Sequence, residues 1–97
     1  MKAIWIGTVE LRFKEEPSLE YETAFTNFVT WAESVETFTN KVQTVCTHNG
    51  WELLSLERAA PFDPQLSYCE EIEDIVESAR DNPDACIHGT FHTYPVN

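Results

Sequence analysis

The chain has 97 residues, with seventeen Asp and Glu against six Lys and Arg, a formal net charge of −11. Apolar residues make up 42% and aromatics 12%, which excludes a disordered acidic chain and fits one domain with a single modest core. The charge repels nucleic-acid phosphates and anionic lipid and favours a basic protein partner.

The first strand is expected over Lys2 to Lys14, where Trp5, Gly7, Val9, Leu11 and Phe13 share one face and Thr8, Glu10 and Arg12 the other. Glu15-Glu16-Pro17-Ser18 reads as a loop, because proline donates no ladder bond and paired acids prefer water. A second strand runs from Tyr21 to Ala32. Phe25, Val29 and Trp31 face one way and Ala24, Phe28 and Ala32 the other, so this strand is central or covered on both sides.

Ser34 is placed to cap a helix, with Glu36 favourable in its first turn. Val35, Phe38, Val42 and Val45 recur at helical spacing, and Asn49-Gly50 is a stop. Trp51 to Ala60 is the third strand, ended by Pro61-Phe62-Asp63-Pro64. The second helix is expected from Gln65 to Arg80, burying Leu66, Cys69, Ile72, Ile75, Val76 and Ala79, with Asn82-Pro83 beyond its end. A last strand spans about Ala85 to Tyr94, with Ile87, Gly89 and Phe91 on one face and Cys86, His88, Thr90 and His92 on the other.

The order β-β-α-β-α-β predicts an α+β fold: two helices on one face of a four-stranded sheet, a two-layer sandwich of ferredoxin-like type. The opening hairpin departs from the βαββαβ order and leaves strand order open. A sheet covered on one face would leave some of Trp5, Phe13, Phe25, Phe28 and Trp31 on the open face. A second subunit forming a homodimer, a partner, or the tail Thr93 to Asn97 would then cover them.

The second helix carries the most informative pattern. Glu70, Glu73, Asp74, Glu77 and Asp81 recur every three or four residues along one face, with Glu71 beside them and only Arg80 in opposition. Like charges at i,i+4 cost about 0.2–0.5 kcal/mol each. Glu77 and Asp81 also sit near the C-terminus, where the helix dipole disfavours anions. Local rules broken without visible compensation direct attention to function, so these six residues are the expected partner-binding surface.

Cys86, His88 and His92 are zinc-type ligands on one strand. Cys86 and His88 stand about 7 Å apart, but His88 and His92 about 14 Å, too far to share one ion on a straight strand. Further ligands such as His48 or Cys69 would be needed, so no metal site is expected. No catalytic dyad, phosphate loop or cofactor motif is legible. Three cysteines without CxxC spacing read as reduced thiols. With no apolar run of membrane-spanning length and no signal-peptide h-region at the start, cytoplasmic placement is expected.

The favoured expectation is a non-catalytic acidic binding protein: an immunity or inhibitor protein that neutralises a basic, nuclease-like toxin or effector. The alternative is a homo-oligomeric small-ligand-binding protein or enzyme using the open sheet face, with a pocket lined by aromatics such as Trp5 and Trp31 and with His88 and His92 as its polar groups.

Overall fold

The computed structural model describes residues 2–13 and 21–95, with side chains described for 2–13 and 23–91. The loop expected over 15–18, the side chain of His92 and the covering role of the C-terminal tail lie outside the described residues. The elements are β1 (Ala3–Phe13), β2 (Tyr21–Ala32), α1 (Val35–His48), β3 (Trp51–Pro61), α2 (Glu70–Arg80), β4 (Cys86–His88) and β5 (His92–Pro95). The fold is α+β, with an antiparallel sheet ordered β3-β1-β2-β4, in which β5 continues beside β2 on the same edge as β4.

β1 and β2 form the expected antiparallel hairpin, paired in one register from Ala3–Ala32 to Arg12–Thr23. Val9, Leu11, Ala24, Phe28 and Ala32 meet Phe38, Val42 and Cys46 of α1 in one core. Burying a side chain of Phe38's size stabilises the fold by about 1.5–3 kcal/mol. Gly7 makes this approach possible, since a Cβ there would stand 2.5 Å from the Phe38 ring. The opposite parity, Ile4 and Val29 with half-buried Ile6 and Trp31, meets Val76 and Ala79 of α2 in a second core.

Successive strand residues point to opposite faces, so the two cores place the two helices on opposite sides of the sheet. The expected one-faced, two-layer ferredoxin-like sandwich is therefore corrected. The apolar residues on both faces of β2 already required two coverings, and α2 supplies the second. It lies over Val29 and Trp31, on a face that the one-faced arrangement left open to a second subunit, a partner or the tail. Trp5 packs against Phe38 on the α1 face while Trp31 packs on the α2 face, so no single pocket is lined by both.

Ser34 caps α1, its hydroxyl accepting from the Thr37 N–H at 3.2 Å, and Gly50 takes the left-handed conformation at φ 75°. Val35 is exposed, while Cys46 is buried in the stripe with Phe38 and Val42. In β3 the apolar residues that reach the α1 core are Trp51, Leu53, Leu56 and Ala59, a spacing no flat strand puts on one face. Two register shifts against β1, between Thr8 and Val9 and between Glu10 and Leu11, reconcile them: each admits one extra β3 residue, Glu57 and Leu54. The same bulges blunt this long edge strand against pairing with another chain.

α2 begins at Glu70, five residues later than expected. Residues 63–66 form a turn in which the Asp63 carboxylate accepts from the Gln65 N–H at 2.9 Å and the Asp63 carbonyl from the Leu66 N–H at 3.1 Å. Tyr68 stacks on Phe62, and its hydroxyl accepts from the Asp63 N–H. Leu66 and Cys69 are consequently exposed and leave the buried stripe.

The last strand is broken at Gly89-Thr90-Phe91. Thr26, fully buried, reaches the Gly89 and Thr90 carbonyls with its hydroxyl at 3.2 and 3.1 Å, and Thr30 donates to the Ala85 carbonyl at 2.6 Å. The break reverses the alternation, so Phe91 joins Cys86 in the α1 core while Ile87 packs on the α2 side. No helix of the described residues is long and apolar enough to cross a membrane.

Candidate functional site

The later start of α2 changes the energetics of its acids. Glu70, Glu71 and Glu73 lie in the first turn, where the helix dipole favours negative charge. Glu77 is paired with Arg80 at 3.0 Å, and Asp81 is the C-cap. The cost foreseen for the stripe is thus partly offset at both ends. What remains is repulsion between Glu70 and Asp74, Glu73 and Glu77, and Glu77 and Asp81, all at i,i+4, with Asp81 at the end where the dipole disfavours an anion.

Glu70, Glu73, Asp74, Glu77 and Asp81 are all exposed. Val76 and Ala79 bury the opposite side of the helix, so the five carboxylates form a continuous outward face. Glu71 does not belong to it. Its side chain is half-buried and accepts the Thr90 N–H, so it holds the strand break in place rather than facing outward with the rest.

A cleft of about 300 Å³ runs beside this face. Phe62 and Leu66 give it apolar surface over the buried Val76, and Glu73, Glu77 and Arg80 add charge, so the lining is mixed. Leu66 is 59% exposed, the more open of the two exposed large apolar side chains among the described residues. The Arg80 guanidinium sits 6.0 Å from the Phe62 ring centre while bound to Glu77, so its charge is already engaged. Sequence reasoning missed this cleft because it placed Leu66 inside the helix. The turn-forming Asp63-Pro64 was the signal that could have moved it out.

Cys86 and His88 lie two residues apart on β4, each packed among other side chains. Burial pushes the Cys86 thiol up to about 11; Lys41 and the Thr30 hydroxyl act against the rise and the nearby Cys46 adds to it, so the nucleophilic thiolate is disfavoured. The His88 ring is held among Phe28, Trp51 and Phe91, at centroid distances of 5.8, 5.6 and 4.8 Å. Its Nδ1 lies 2.8 Å from the Gly89 carbonyl; because a carbonyl only accepts, Nδ1 carries the hydrogen. His48 ends α1 and Cys69 precedes α2, both exposed, and no three metal-ligating residues come together among the described residues. The described cysteines form no disulfide.

In comparisons with known proteins, the chain matches no family model, no curated protein sequence and no solved structure.

Proposed function

We propose that the protein is a non-catalytic acidic binding protein, acting in the cytoplasm as an immunity or inhibitor protein against a basic, nuclease-like toxin or effector. The observation that carries this reading is the outward face of α2, where Glu70, Glu73, Asp74, Glu77 and Asp81 are exposed with Arg80 already paired. Such a face steers a cationic partner into register and raises its association rate. The cleft at Phe62, Leu66 and Val76 supports the reading, since charge gives rate and selectivity while buried apolar anchors supply much of the affinity.

The experiment is co-expression with the toxin-like product of a neighbouring gene, followed by growth and by nuclease activity of the purified toxin. The chain is expected to abolish both toxicity and activity at equimolar ratio. A toxin that stays fully active with the chain in excess would overturn the reading.

A further inference from the structure

A second cavity, of about 220 Å³, shares Leu66 with the acid-edged cleft but opens against the sheet. Ile6, Leu66 and Ile72 give it apolar walls, and Thr8, Asn27, Arg58 and Tyr68 are its polar lining. Its size lies below the roughly 300 Å³ at which drug-sized ligand sites begin, so an occupant is small.

The polar groups are unbalanced towards donors. The Thr8 hydroxyl donates to Asn27 Oδ1 at 2.6 Å, which leaves the Asn27 amide N–H groups without a partner among the described residues. The Tyr68 oxygen accepts from the Asp63 N–H, so its own hydrogen is available. Arg58 is exposed and pairs with no carboxylate among the described residues. That is notable in a chain with seventeen acids. The two nearest in sequence are engaged elsewhere: Glu57 accepts from the Ser55 hydroxyl at 2.7 Å, and Asp63 accepts from the Gln65 N–H.

We propose that this cavity binds a small carboxylic acid with an apolar body, its carboxylate on Arg58 and the Asn27 amide and its body against Ile6, Leu66 and Ile72. Arginine presents a fork of donors that matches a carboxylate's two oxygens. The net charge of the protein opposes any anion at long range, but the Debye length is about 8 Å at physiological salt, so the adjacent guanidinium dominates. This site is independent of the acidic face of α2 and stands or falls separately from it.

The test is a titration with phenylacetate and with its neutral isostere phenylacetamide, followed by methyl NMR of Ile6, Leu66 and Ile72. Phenylacetate is expected to produce saturable shifts at all three, with affinity at least tenfold above that of the amide. Arg58→Gln, a change at an exposed side chain, is expected to remove that preference, and Ala60→Leu, at a residue that also lines the cavity and would fill it, to remove binding of both. Equal binding of acid and amide, unchanged selectivity in Arg58→Gln, or no saturable shift at these methyls would overturn the proposal.

Discussion

The indole Nε1–H of Trp31 donates to the main-chain carbonyl of Ala79 at 2.7 Å. This bond ties the last turn of α2 to the central strand, and the Trp31 carbonyl in turn accepts from the Lys41 ammonium of α1 at 2.7 Å. One residue thus links both helices through the sheet. Trp31→Phe keeps an apolar ring but loses the donor and some volume. It is expected to cost about 1.5–3 kcal/mol in urea unfolding, with amide exchange accelerated first in α2.

Thr30 is fully buried and its hydroxyl serves the Ala85 carbonyl. Thr30→Val keeps the shape and strands that acceptor. The expected loss is about 1–3 kcal/mol, measured by chemical denaturation, with the shift perturbations centred on residues 85–88.

Glu71 and Glu73 stand two residues apart and should behave differently. Glu71→Ala removes the acceptor for the Thr90 N–H and is expected to destabilise by about 1 kcal/mol while leaving binding of a cationic partner unchanged. Glu73→Ala is expected to leave stability within about 0.5 kcal/mol and to slow association. Stopped-flow binding alongside thermal unfolding separates the two.

The three cysteines should label in an order set by exposure and burial. Cys69 is exposed, while Cys46 and Cys86 both have thiols pushed up by burial. One equivalent of thiol reagent is expected to react quickly near neutral pH, at Cys69, with the other two reacting only on unfolding. A thiol whose folded value is raised binds its proton more tightly when folded. Its contribution to stability is therefore full below about 9 and is lost as pH rises towards about 11. Cys86→Ala should flatten that alkaline decline, read as the unfolding midpoint between pH 8 and 11.

The parts of the fold legible in the sequence were those governed by a single period and a local cap. β1 alternates cleanly, and Ser34 and Gly50 bracket α1 by side-chain capping and positive φ. The rest depended on contacts between distant residues. In β3, Leu54 and Glu57 are absorbed as bulges only because Trp51, Leu53, Leu56 and Ala59 must all reach α1. The last strand breaks because Thr26 and Glu71 take the backbone groups of Gly89 and Thr90. The side of the sheet taken by α2 follows from two competing apolar faces, which β2 displayed but which local pattern could not assign. Of the candidate site, the acidic periodicity of α2 was legible. The inward role of Glu71 and the exposure of Leu66 were not, because both depend on where the helix begins.

The central claim is that the outward carboxylates of α2 recruit a cationic partner. Its most direct test is the association rate of the Glu70→Lys, Asp74→Lys, Glu77→Lys triple variant with the cationic toxin that the unaltered chain neutralises, measured by surface plasmon resonance at physiological salt. All three residues are exposed, so circular dichroism should show an intact fold. The account predicts at least a tenfold slower association, or none. A folded triple variant that binds at the unaltered rate and affinity would contradict it.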